Sequence, residues 1–282
     1  MLAAVAAGVL VPELAVVTDY ATPILAVMVG SVSLTLTVDR FRTVEPRGVA
    51  GALAGHVAMP AVASAVASAL DLAPAVVAGF VVLGAVTPEL VTPTMTELAD
   101  GDTALAMTVL VVAGVGATAF VPLAAFLGDA VAVDSARIVE GLVLAVVAPM
   151  LAAIVVQHAF DERVGAHEDA YGTVSAVAVV AIIGGVAAAN ADLLRATPAR
   201  TAVVAFGALA LNLAGYAIGY LGGLGGTRET RIATTLSVGM RDFAVAAALV
   251  VAAGFPTAAS LPAVTFGVVE MTTSALLASR LG

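Results

Sequence analysis

The sequence predicts an all-α membrane protein of about ten transmembrane helices, arranged as two inverted five-helix repeats in which segments 4 and 9 are broken. Three observations carry that prediction. Of the 282 residues, 61% are hydrophobic and the mean hydropathy is +1.11, more apolar sequence than a water-soluble domain of this length needs. The apolar runs have spanning length and are separated by short polar breaks. Two of them are interrupted at mid-length, one by TPELVTPT after Val86 and one by Gly239, Met240, Arg241 and Asp242.

In order, the segments cover residues 2–17, 24–38, 48–70, 74–86 with 95–99, 103–127, 138–157, 171–190, 201–224, 227–254 and 257–281. The first, MLAAVAAGVLVPEL onward, has no positive charge ahead of its apolar run, so it reads as a membrane helix bent at Pro12 rather than a cleaved signal. The second leads into the charged break DRFRTVEPR, and the third carries His56 and Pro60. GALAGHVAMP from Gly51 and GALALNLAGY from Gly207 each precede the interrupted segment of their half. Five spans are an odd number, so residues 131–282 insert upside down relative to residues 1–130. Inverted repeats with one broken helix each are a layout of secondary transporters, which bind solute at the midplane. With the N-terminus inside, Arg40, Arg42, Arg47, Arg163, Arg228, Arg231 and Arg280 fall on the cytoplasmic side and Arg137, Arg195 and Arg200 outside. That bias favours cytoplasmic N- and C-termini.

Composition excludes several chemistries. With no cysteine there is no disulfide and no thiolate site. All 11 basic residues are arginine against 20 acidic ones, so a basic footprint for nucleic acid is absent, and acidic, lysine-free loops suit a halophilic setting. A phosphate-cradling loop and an HExxH zinc motif are missing, which argues against an ATP-driven pump and an intramembrane enzyme. A continuous polar stripe of the kind a channel needs is also absent. No cofactor is expected. A non-transporting receptor stays open, as does the oligomeric state.

The two interruptions carry the chemistry. Pro88 stops one helix and Thr92–Pro93 restarts another, where proline costs no hydrogen bond and Thr92 or Thr94 can cap the free amides. Thr94 and Glu97 have capping-box spacing. Helix starts at mid-membrane suit an anionic group. The second break offers Ser237, the carbonyls of Val238 to Met240, and Asp242 as a cap for the outgoing half-helix. Charged side chains inside a membrane are expensive and point to function; this marks Glu89, Arg241, Asp242 and Glu270. His56 and Asn212 are candidates too, although an interior histidine is commonly a packed one and asparagine can glue helices.

SVGMRDFAVAAAL (237–249), MTELADGDTALAM (95–107) and ALNLAGYAIG (210–219) resemble motifs of the bile acid:sodium symporter family, in the bile/arsenite/riboflavin transporter superfamily. The resemblance implies ten helices in two inverted repeats, the fourth and ninth broken and crossing, with sodium and a small organic anion bound beside the crossing. The family's sodium positions correspond here to Thr92, Pro93, Gly55, Ala106, Leu110, Ser237, Arg241 and Asp242. Side chains that would offer a hard cation oxygen are mostly gone. A vestige of the site remains near Thr92, Ser237 and Met240, and no metal ligand is assigned. Sodium stays open as a coupling ion, with the replaced residues counting against it. In its place Arg241 would supply a fixed positive charge, neutralised by Asp242 or Glu89, with Glu89 and Glu270 as proton carriers. The alternative to a symporter is thus a sodium-independent or proton-coupled exporter or uniporter, arsenite- or auxin-carrier-like.

Overall fold

The computed structural model describes residues 1–35, 44–127 and 135–281. Arg40, Arg42 and the division between residues 130 and 131 lie outside the described residues. The order is α1 (Leu2–Leu10), a 3-10 stretch (Pro12–Tyr20), α2 (Ala21–Ser33), α3 (Pro46–Ala69), α4 (Pro74–Ala85), α5 (Thr92–Leu98) and α6 (Thr103–Leu127). Then come α7 (Ser135–Leu142), a π-helical turn (Val143–Val147), α8 (Ala148–Ala159), α9 (Asp161–Gly165), α10 (Glu168–Ala189), α11 (Ala191–Ala196) and α12 (Pro198–Gly222). The chain closes with α13 (Arg228–Gly239), α14 (Phe243–Ala252), a 3-10 turn (Thr257–Ser260) and α15 (Leu261–Leu281). Among the described residues there is no strand, and eight helical runs are long and apolar enough to cross a membrane.

The first apolar run departs from its expected form. Residues 2–17 are not one bent helix: α1 ends at Leu10, Val11 has φ −125° and ψ 80°, and Pro12 opens the 3-10 stretch. Proline lacks the N–H that would continue the ladder, so the chain breaks there. The candidate span runs from Pro12 to Ser33.

The helices form two layers. α1, the 3-10 stretch, α2, α8 and α10 pack on one another, and α3, α4, α6, α12, α13 and α15 make the second set; α14 touches both. Close approach inside the second layer rests on glycine. A side chain on Gly215 would stand 2.8 Å from the Gly239 Cα and 2.9 Å from the Val238 oxygen, and one on Gly219 would stand 2.7 Å from the Thr235 Cα. Gly215 and Gly219 are four residues apart on one face of α12, the small-residue spacing that lets membrane helices touch backbone to backbone. That contact lays α12 along α13 up to its break.

Candidate functional site

Both interruptions predicted from sequence are breaks in helix. α4 ends at Ala85 and α5 begins at Thr92; α13 ends at Gly239 and α14 begins at Phe243. They meet: the Asp242 N–H donates to the Thr87 carbonyl at 3.0 Å, and the Arg241 guanidinium donates through Nη1 to the Val86 carbonyl at 3.3 Å. Free backbone groups at this depth are costly unless protein satisfies them, and each break does so for the other.

Arg241 is the largest fully buried side chain. The Arg241 backbone N–H donates to Glu270 Oε2 at 2.9 Å, and the side chain's Nη1 also meets His56 Nδ1. Among the described residues Nε and Nη2 have no hydrogen-bond partner. The guanidinium makes no hydrogen bond, among the described residues, to Asp242 or Glu89, the two groups expected to neutralise it, and its electrostatic partner is Glu270. Asp242 is occupied otherwise: its Oδ1 accepts the Val245 N–H at 2.8 Å, capping α14 as its position predicts. Glu89, Asp242 and Glu270 interact electrostatically across the two breaks and α15. Each keeps one oxygen without a partner, Glu89 Oε2, Asp242 Oδ2 and Glu270 Oε1. Three buried carboxyl groups thus gather at the two breaks, and of these Glu270 is the one that interacts with the Arg241 charge.

Asn212, on α12, holds the second break in shape. Its Nδ2 donates to the Gly239 carbonyl at 3.0 Å, and its Oδ1 accepts from Thr273 Oγ1 at 2.7 Å. Asn212→Leu keeps the branched outline of the side chain, at some cost in bulk, and strands that carbonyl in an apolar interior. The expected cost is about 1–3 kcal/mol, read as a lowered thermal midpoint of the purified protein.

The threonine caps of the first break are corrected. The residue capping α5 is Val91, with no side-chain bond, because the Thr92 N–H already closes a turn onto the Glu89 carbonyl at 2.9 Å. Thr92 is then inside the helix, its backbone carbonyl accepting from Thr96 and its own Oγ1 unpartnered. Thr94 and Glu97 form no capping box; Thr94 and Pro93 instead line a cleft. Ser237 is buried with an unpartnered Oγ, and Val238 and Met240 are buried around the break. The residues that sequence reasoning missed are Val86 and Thr87, which act through backbone carbonyls and carry no side-chain signal. It also missed Thr273, which bonds Asn212, and Tyr216, whose ring lies against Gly239 at the second break, although Tyr216, four residues after Asn212, shares its helix face.

The cleft, about 310 Å³, lies between the layers. Leu90, Pro93, Thr94 and Glu97 of the first break and α5 form one wall, and Val32, Thr35, Gln157 and Asp161 the other. It reaches the break but does not include Arg241.

Paired broken helices beside an interlayer cleft are the build of a multi-pass membrane transporter. Residues 22–196, more than half of the chain, match the profile of the Sodium Bile acid symporter family, and the chain belongs to that family. It is also 27% identical over 271 residues to the uncharacterized sodium-dependent transporter YocS of Bacillus subtilis (strain 168), across 93% of this chain and 83% of that protein.

Proposed function

We propose that this chain is a secondary transporter of a small organic anion, with a midplane site at the two breaks and no requirement for sodium. The observation that carries this reading is the meeting of both breaks around Arg241. The family's broken spans and its named solute support the transport class and the anion. On this reading the α4–α5 pair is a ninth pass beside the eight long spans, and the ten expected passes need residues 2–20 to cross as well, a stretch in which α1 alone reaches only about 14 Å. The passes form two inverted repeats, residues 1–130 and 131–282, with both termini cytoplasmic.

Arg241 is a permanent cation held where a mobile one would otherwise sit. The nest around it carries more carboxylates than cations, and the cleft wall adds Glu97 and Asp161. An anion crossing such surroundings needs compensating positive charge, and protons on Glu89 and Glu270 supply it. Coupling is then to protons.

The solute is found first by thermal shift of the purified protein against carboxylates and sulfonates. A ligand at a hundredfold its Kd adds about 2.7 kcal/mol to the folded state. Uptake of the hit into proteoliposomes is expected to be unchanged when choline replaces sodium, and to rise with an acid outside. A strict sodium requirement would overturn the coupling. Binding with no flux would favour a receptor.

A further inference from the structure

The cleft opens between the layers at one face, where α2 ends and α9 begins. α10 starts beside α9 and runs 22 residues, about 33 Å, so its end at Asn190 lies at the far face. There the layers are shut. On α14, Val245, Ala248 and Leu249 close against Thr22, Leu25 and Leu142, leaving a void of only about 10 Å³.

Across that closed face Asn190 Nδ2 donates to Ser260 Oγ at 2.8 Å. Asn190 caps the end of α10, in the first layer. Ser260 ends the 3-10 turn before α15, a turn packed on α4 in the second layer, where Gly79 lies against the Ala259 backbone. Both side chains are buried, and each is also tied within its own layer, Asn190 to the Val186 carbonyl and Ser260 to the Thr257 carbonyl.

We infer that Asn190 and Ser260 are positioning residues for transport, a latch that holds the far face closed while the cleft is open and must part for the solute to leave there. The inference rests on the transporter reading above. Three features suit it. A neutral hydrogen bond is weak enough to break in each cycle. Asn190 Oδ1 is buried without a partner, so closure carries a desolvation penalty that water relieves on opening. The seam beneath is built mainly of alanine, valine and leucine and has no charged side chain in its lining, so its walls separate without breaking an ion pair. One wall of it includes part of the π-helical turn, a local irregularity common at functional sites.

The chain has no cysteine, so Ala248→Cys places a single thiol at the seam. Its labelling by a charged, membrane-impermeant thiosulfonate is followed in proteoliposomes. The latched protein reacts slowly. Asn190→Ala and Ser260→Ala are each expected to speed labelling about fivefold, the worth of one such bond. The double variant is expected to be no faster than either single one, while Ser260→Thr, which keeps the hydroxyl, stays slow. Unchanged rates in the single variants, or effects that multiply in the double, would overturn the latch. If Asn190→Ala unfolds, Ser260→Ala against Ser260→Thr decides alone. Labelling needs no solute, so the two failures are distinguishable: a protein that labels as expected but carries no flux keeps the Asn190–Ser260 closure of the seam and overturns its role in transport together with the transporter reading.

Discussion

Arg241→Gln is expected to reduce uptake to background and to lower the thermal midpoint. The guanidinium is the positive charge among Glu89, Asp242 and Glu270, and it ties α13's break to α3 through His56 and to α4 through the Val86 carbonyl. Removing one member of a buried ionic set costs about 3–5 kcal/mol, because the remaining charges are left uncompensated. Arg241→Lys keeps the charge but loses the planar fork that bonds in two directions, so partial uptake is expected. Sodium makes the sharper contrast. If Arg241 takes the place of a mobile cation, the native protein gains no thermal stability from sodium, whereas Arg241→Gln does. Sodium stabilising both equally would contradict the role given to the guanidinium.

Gly215→Val has the second large effect. Its new Cβ would lie under 3 Å from two backbone atoms of the second break, the Gly239 Cα and the Val238 oxygen, and neither can rotate away. Overpacking of this kind costs about 1–3 kcal/mol, and the β-branch adds crowding along α12. Asn212, three residues earlier, is carried away from the Gly239 carbonyl by the same shift. Loss of monodisperse protein in detergent and of uptake is the expected outcome. Gly116→Val serves as the control, since nothing lies within 4 Å of that position's Cβ, and it is expected to be tolerated.

The breaks could be read from the chain because their residues disagree with a membrane helix: two prolines in one, adjacent charges in the other. Asp242 as a cap followed from its place before Phe243. What surrounds the breaks could not be read. His56 is one polar residue in an apolar helix; its spacing tells which face it shares, not that this face meets Arg241, 185 positions away. The run Thr92-Pro93-Thr94 offers two plausible caps, and only the backbone turn from Glu89 decides that neither serves. Pro12 posed the same difficulty, since hydropathy is equal for a kinked and a severed helix. The Asn190–Ser260 bond joins two ordinary residues at segment ends, with no pattern to announce it.

In the most apolar 18-residue stretch of the interrupted span Arg228–Ala252, 89% of the residues are buried within the protein, against only 22% in that of Pro12–Ser33. By hydropathy alone the two look alike. During biosynthesis that difference acts on order of assembly: Pro12–Ser33 can wait in lipid, but a nascent span with Arg241 and Asp242 at its centre meets a penalty of about 2.5–3.5 kcal/mol for each charge at the translocon. It becomes stable only once the earlier helices have built the slot that receives it, so the solute path is completed late in the protein's biogenesis.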